Sequence, residues 1–341
     1  MKELPFISVI VPTYNRDTHL RTCLESLLGL DYPADRYEII VCDNNSTDRT
    51  SEVVEACKAS SIVPLTYLFE QRQGVHFARN SAARTAKGEV LYFTDDDIIA
   101  DPLMLRELVR VLDPDPMIGC VTGRVLPKFL SQPPGWVEKH LINYCLSLTD
   151  DRGAELLIGS FEEFGVYSCH QAIRREVFFR AGGFNPENTA GVWAGDGEAG
   201  LNIKISKLGY KFAYTAGSVI YHVIPESRTT LRYLLQRMVN EGYCNSCTEY
   251  RRHRRKSGIV SGMAKRNLIR LPLSLFKEAA KVILGRQTWR FVPAKLCYFH
   301  GRNVYDLKLL RDDKFRRLVE IDDWLKADGA ENKGTDQEER K

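Results

Sequence analysis

Over its first 125 residues the chain switches repeatedly between two kinds of segment, and this alternation restricts the fold more than any other feature. Apolar runs rich in strand formers occupy 6–11, 37–42, 63–69, 90–94 and 118–124. Helix-like segments lie between them at 19–28, 51–58, 75–86 and 102–112. Strand, helix and strand at this spacing predict βαβ units, and so an α/β fold with a mostly parallel, doubly wound sheet covered on both faces. In such sheets ligands bind beyond the carboxyl ends of the strands. Three polar clusters fall there: "VPTYNR" after the first run, "CDNNSTDRT" after the second and "TDDD" after the fourth. Each alone reads as a turn or a cap, since Ser46, Thr47 and Asp48 are good N-cap types. Three on one edge of one sheet indicate a site.

Beyond residue 125 the pattern loosens. The stretch 126–164, with "PKFLSQPPGW", reads as a connection that could cover the site. "GVYSCHQAIRREVFFRAGGFNPE" predicts a strand, a short helix and a glycine turn. "AGDGEAGLNIKISKLGYKFAY" predicts a loop, a helix from about Asp196 to near Gly209, and a strand. "SVIYH" reads as a further short strand ending in His222. Residues 326–341 are polar and charged without apolar anchors, the composition of a disordered tail. There is no internal repeat.

Asp95, Asp96 and Asp97 stand side by side although like charges repel, so a bound cation is the natural reason for them. In an extended chain Asp95 and Asp97 point to one side and Asp96 to the other. Two converging carboxylates can hold a hard divalent cation and leave positions for water and phosphate. Such a cation would stabilise charge on a departing phosphate. The competing reading is a solvated acidic turn before the next helix. Asp196 and Glu198 open a predicted helix, where acidic residues suit caps and the helix dipole. One of them could instead take a proton from an attacking hydroxyl. Two positions apart they face different ways, so one base is expected. His222 could complete a metal shell or simply end its strand.

Taken together, "ISVIVPTYN", "EIIVCDNNSTDRT", "QGVHFARNSAARTAKGEVLYFTDDD", "RREVFFRAGGFN", "GDGEAGLNIKISKLGY" and "SVIYH" resemble, in order, the motifs of family 2 glycosyltransferases. The resemblance covers roughly residues 5–242. It implies the GT-A fold, with a nucleotide-binding half (about 1–125) and an acceptor half (about 126–245). It also implies inverting transfer of a sugar from a nucleotide-sugar donor to an acceptor hydroxyl. By position, Pro12, Thr13 and Tyr14 resemble the loop that holds base and ribose, Asp43 the base-reading carboxylate and Arg79 the donor-site arginine. Asp95 and Asp97 match the DxD that binds Mg²⁺ or Mn²⁺ and the donor, with Asp96 between them. Asp196 matches the catalytic base, and His222 a histidine that assists the metal or diphosphate. The chain departs from the family pattern twice: Gly195 precedes Asp196 where an acidic residue is usual, and His170 stands where a small polar residue is common. The second departure leaves acceptor contacts open.

Charge separates a further region. Residues 249–290 hold 12 Lys/Arg against 2 Asp/Glu, leaving 36 against 42 elsewhere from totals of 48 and 44. In this extension (246–325), Phe276, Ala280 and Ile283 share a helical face while Lys277 and Lys281 lie off it, with Trp289 and Phe291 nearby. A basic amphipathic helix suits an anionic membrane surface, or it packs on the domain with a solvated basic face. No nucleic-acid-reading module accompanies the charge. The nine scattered cysteines suit a reducing compartment, and the lone Cys244–Cys247 pair lacks the partners of a zinc site. No apolar run is long enough to span a bilayer, and the first apolar run lacks a cleavage pattern. These features together lead to a cytoplasmic enzyme at the inner face of the membrane, making a polysaccharide, glycolipid or envelope glycan. The competing class is an inert sugar-nucleotide-binding or membrane scaffold. A phosphoryl transferase is disfavoured because no GxxxxGK[ST] is present.

Overall fold

The expected alternation is realised in the computed structural model, which describes residues 3–140, 143–149, 154–185 and 195–327. In chain order come β1 (Ile7–Thr13), α1 (Asp17–Leu28), β2 (Tyr37–Asp43), α2 (Thr50–Ala59), β3 (Leu65–Phe69), α3 (Val75–Thr85) and β4 (Val90–Thr94). Then follow β5 (Ile98–Ala100), α4 (Met104–Leu112), β6 (Ile118–Phe129), α5 (Gly135–His140), β7 (Leu156–Gly159), α6 (Phe161–Phe164), β8 (His170–Arg174), α7 (Arg175–Arg180), α8 (Gly197–Lys207) and β9 (Lys211–Ile224). The strands form one sheet in the order β3-β2-β1-β4-β8-β6-β9-β5, with β7 also on β9. The pairs β2–β3, β1–β2, β1–β4 and β6–β9 are parallel; β8 runs antiparallel between β4 and β6.

Side-chain alternation divides the core between the two faces of the sheet. Val9, Val11, Ile39 and Val41 pack with Leu20, Leu24, Val54 and Leu105 on one face. Ile10, Ile40, Leu91 and Phe93 pack with Ala78, Ala82, Phe178 and Leu201 on the other. Pro12 is tolerated in β1 because the pairing with β4 has already ended at Ile10.

The structure differs from expectation in several places. β5 follows the three aspartates directly, and β7 lies in the stretch read as a connection. "KFAY" and "SVIYH" form one strand, β9, not two; its pairing with β6 jumps from Gly123↔Thr215 to Arg124↔Val219, a bulge that absorbs Ala216, Gly217 and Ser218.

The helical part comprises α9 (Leu231–His253), α10 (Lys256–Lys265), a π turn (Arg266–Arg270), α11 (Leu271–Ile283), α12 (Phe291–Arg311) and α13 (Asp313–Val319). A boundary at 245 therefore falls inside α9, which runs unbroken from the domain into the extension. α9 and α12 touch backbone to backbone: a Cβ at Gly242 would collide with the Tyr298 carbonyl, and one at Gly301 with the Val239 carbonyl. After α13 the chain returns to the sheet-covering helices, where Arg84 donates to the Leu325 carbonyl (2.9 Å) and Lys204 to that of Asp322 (3.0 Å). Apart from Lys326 and Ala327, the expected tail lies outside the described residues. No described helix is long and apolar enough to cross a membrane.

Candidate active site

The ends of β1, β2 and β4 open on a cavity of about 450 Å³, lined among others by Thr13, Tyr14, Arg16, Arg79, the three aspartates and Arg228. The loops behind it are fixed by the polar residues themselves. Asn15 and Asn45 adopt left-handed backbone (φ 50° and 69°), and Thr47 N donates to Asn15 Oδ1 (2.7 Å), tying the loop after β1 to the loop after β2. Gly74, at φ 141°, starts α3 and donates its N–H to Asn44 Oδ1 (2.7 Å).

Each aspartate has a cationic partner. Asp95 accepts from Arg79 Nη2 (2.6 Å), Asp97 from Arg16 Nη1 (2.6 Å) and Arg228 Nη2 (2.9 Å). Asp96 accepts from Thr13 Oγ1 (2.8 Å) and lies 3.4 Å from Arg16 Nη1. The simple alternation expected for an extended chain fails, because Asp96 and Asp97 form a turn and share Arg16 while Asp95 goes to Arg79. Burial pushes the Asp96 carboxyl up to about 7 against the pull of Arg16. Burial acts the same way at Asp97, but the Arg228 and Arg16 guanidinium groups outweigh it and hold that carboxyl below the usual range.

His222 belongs to this group. Its Nδ1 is 2.7 Å from the Leu146 carbonyl, which can only accept, so Nδ1 carries the proton. Nε2 then presents its lone pair 3.0 Å from Arg228 Nη1 and 3.3 Å from Asp97 Oδ1. Asp97 Oδ1 is buried without a hydrogen-bond partner. An orphaned carboxylate oxygen beside an imidazole lone pair fits a divalent cation that draws its remaining ligands from phosphate and water. Among the described residues no three His, Cys, Asp or Glu side chains form a complete cage.

A second cavity, of about 690 Å³, adjoins the first at Val75, which lines both. Its walls include His76, Tyr167, Asp196, Glu198, Arg237 and Arg252. Asp196 caps α8, and its carboxylate lies over Gly200, where any Cβ would strike it. That carboxylate is 1% exposed, 3.3 Å from Arg251 Nε, and neither oxygen has a hydrogen-bond partner. Burial raises its pKa despite the opposing Arg251 and Lys204. Glu198 faces elsewhere, as the helical spacing requires: it is half-buried, with Ser168 Oγ 3.4 Å from Oε2.

Of the residues singled out in the sequence, Pro12, Thr13, Tyr14, Arg79 and the three aspartates line the first cavity. Asp43 does not; its oxygens accept from Ser46 N (2.8 Å) and Tyr67 OH (2.7 Å), and Asn44 forms the wall instead. His170 is not an acceptor contact. It is fully buried in the sheet, where Nε2 donates to the Ser218 carbonyl (3.3 Å) and Nδ1 accepts from Tyr92 OH (2.7 Å). Two further site residues, Arg16 and Arg228, carry no local signal that singles them out in the sequence. Arg16 sits inside the quoted "VPTYNR", but nothing in "PESRTT" marks Arg228 until β9 brings it beside His222.

A sheet of this order, with an acidic strand end opposite a second carboxylate-bearing cavity, defines a GT-A nucleotide-diphospho-sugar transferase fold. The sequence model described as "Glycosyl transferase family 2" matches residues 8–180, more than half the chain, and the chain belongs to that family. The O-antigen chain rhamnosyltransferase RfbN of Salmonella typhimurium is 28% identical over 317 residues, covering 88% of this chain and 95% of that protein. The probable glycosyltransferase YdaM of Bacillus subtilis is 27% identical over 232 residues, covering 67% of this chain. The chain spans 53% of YdaM and 31% of the glycosyltransferase AglE of Haloferax volcanii, about half or less of these relatives' length. Among solved structures, the mannosyltransferase PcManGT from Pyrobaculum calidifontis, in complex with GDP-Man and Mn²⁺, matches with a TM-score of 0.61 at 22% identity. That match covers 92% of this chain and 89% of the other, and at such identity it is a likeness of fold.

Proposed function

We propose that this protein transfers a sugar from a nucleotide-sugar donor to an acceptor hydroxyl with inversion, in the synthesis of a polysaccharide, glycolipid or envelope glycan. The observation that carries this reading is the meeting of the two cavities at Val75: one gathers three guanidinium groups around three carboxylates, the other is lined by four further carboxylates, Asp196 and Glu198 among them. Tyr14 is 46% exposed and offers an aromatic face to the nucleotide base. Pro12 and Thr13 shape the same wall, and Asp43 holds the loop that carries Asn44. Arg16, Arg79 and Arg228 offset the charge of a diphosphate and of the leaving group formed from it. Asp97 and His222, joined by Asp95 once it leaves Arg79, would hold Mg²⁺ or Mn²⁺, which would act as a Lewis acid on the departing diphosphate.

An inverting displacement needs a base on the face opposite the leaving group. Glu198 reaches the second cavity without rearrangement, and it is the base in our reading. The second reading is Asp196, expected from the sequence; both its oxygens lack hydrogen bonds, as in a carboxylate awaiting a hydroxyl, but Arg251 must move to admit one.

Calorimetric titration with UDP-, GDP-, dTDP- and CMP-sugars, first with Mn²⁺ and then with EDTA, tests the donor assignment. Metal-dependent binding of one nucleotide class, lost in Asp97→Ala, is the expected outcome. Binding that ignores both EDTA and this substitution removes the metal from the scheme. No binding at all leaves the inert scaffold.

A membrane-facing surface is also part of this proposal. Leu268, Phe276, Ile283 and Leu284 are 78%, 74%, 84% and 64% exposed, and the exposed Lys265, Arg270, Lys277 and Arg286 are interspersed with them along the segment. α11 also packs on the protein, since its Glu278 is buried and paired with Lys281 (2.9 Å). Exposed apolar residues interspersed with cations suit an anionic lipid surface at the inner face of the membrane. Phe276→Ser/Ile283→Ser should abolish co-sedimentation with anionic vesicles and leave donor binding intact; unchanged co-sedimentation would discard this surface.

A further inference from the structure

A third cavity, of about 540 Å³, lies within the helical extension, between α9, α10 and α12. Four arginines line it (Arg252, Arg255, Arg266 and Arg302) with His253, against two carboxylates, Glu249 and Asp306. The carboxylates are already used. Asp306 accepts from Arg266 Nη2 (2.5 Å), and Glu249 pairs with Arg302. Asn303 Oδ1 and Ser246 Oγ take further N–H groups of the same two arginines, at 2.9 Å and 3.2 Å.

These contacts fix two guanidinium groups in the wall without using all their donors. The Arg266 contacts use Nε and Nη2 and leave Nη1 without a hydrogen-bond partner among the described residues. Arg255 has no carboxylate or hydrogen-bond partner there either. Arg252 reaches out to Glu162 (3.0 Å) and lines both this cavity and the one that holds Glu198. A cavity with surplus arginine donors, the Arg255 guanidinium and Arg266 Nη1 among them, is built for a planar anion with several acceptor oxygens.

We infer that this cavity binds a phosphate or diphosphate ester, and that it receives the anionic part of the acceptor while the sugar to be extended occupies the neighbouring cavity. The second clause rests on the proposed transfer reaction; the first does not. α10, which contributes Gly258, Ile259 and Gly262 to the wall, runs directly into the exposed apolar turn at Leu268 and Ile269. The phosphate could therefore belong to a lipid-linked acceptor or to a soluble or polymer-borne ester.

The experiment is calorimetric titration of the full chain with inorganic pyrophosphate in EDTA, comparing wild type, Arg255→Gln and Arg252→Gln. We expect wild type to bind and each variant to bind at least about tenfold more weakly, from the loss of a charge-assisted hydrogen bond. Arg255 is exposed and unpaired, so its replacement should leave folding unchanged. Wild-type behaviour in Arg255→Gln would overturn the site, as would absence of pyrophosphate binding in all three proteins. Vesicles of phosphatidylcholine with phosphatidylglycerol then identify the source. Loss of both pyrophosphate and vesicle binding in Arg255→Gln assigns a lipid phosphate; loss of pyrophosphate binding alone assigns a soluble or polymer-borne ester. Nucleotide-sugar titration with Mn²⁺ on the same variants keeps the two readings apart. Intact donor binding beside wild-type pyrophosphate binding in Arg255→Gln condemns the cavity and not the enzyme.

Discussion

The two cavities that meet at Val75 are built on opposite electrostatic plans. In the first, every carboxylate has a guanidinium: Asp95 has Arg79, Asp96 and Asp97 share Arg16, and Asp97 has Arg228 as well. In the second, Asp196 has one arginine at 3.3 Å and no hydrogen bond, and the closest partner of Glu198 is a serine hydroxyl at 3.4 Å. Paired cations hold Asp97 ionised, whereas burial lifts Asp196 towards neutrality, as it does Asp96 in the first cavity. A site that must accept leaving-group charge is served by cations already in place. A site that must accept a proton is served by a carboxylate whose basicity is not spent on strong partners.

Replacing the proposed base, Glu198, tests this contrast most severely. Glu198→Gln should lower kcat by about 10²–10⁴-fold with donor affinity unchanged, because the loss falls only on proton transfer. If Asp196→Asn produces that fall and Glu198→Gln does not, the base moves to Asp196. Removing the arginine instead leaves Asp196 buried and unpaired: Arg251→Gln should cost about 3–5 kcal/mol in denaturant unfolding, much of it recovered in Arg251→Gln/Asp196→Asn. A loss below about 1 kcal/mol would mean that Asp196 finds water, and the contrast would soften.

His170 sharpens the comparison by marking a titration that belongs to the fold and not to either cavity. Burial lowers its pKa from 6.5 to about 4, so the native state holds it neutral while the unfolded chain takes up a proton sooner. Its stabilisation is complete above pH 6.5 and is lost as pH falls towards 4, by roughly 3 kcal/mol. His170→Asn should flatten that acid limb in thermal melts; an unchanged limb would place the titration elsewhere. The smallest effect is expected at Gly200→Ala. The new methyl meets the Asp196 carboxylate and should cost about 1–3 kcal/mol, with kcat falling only if Asp196 is displaced from a working position.

The same contrast explains what the sequence made legible. The first cavity is built by strand ends within the first 97 residues, so three polar clusters at regular strand–helix spacing announced it. Its exception, Arg228, arrives from beyond β9, and no local pattern reports that neighbour. The second cavity draws residues from 75 to 252, including an α9 whose continuity across 245 is invisible to composition. Asp196 and Glu198 are visible as an acidic pair, but which of them lies over Gly200 beside an arginine and which stays half-buried beside Ser168 depends on the helix axis, set by packing. The bulge that joins "KFAY" to "SVIYH" was hidden for a related reason, since β6 and β9 pair across nearly a hundred residues.

The contact of α9 with α12 through Gly242 and Gly301 places a control on the shape of the second cavity at two residues that do not line it. α9 carries Gln236, Asn240 and Asn245 into the wall of the second cavity, and those two glycines set how near its axis comes to its neighbour. A bulkier residue at either position would act as a spacer, shifting one whole wall of the cavity while leaving its chemistry untouched. Divergence in the size of sugar accommodated could then arise at a helix crossing, with every side chain of the site unchanged.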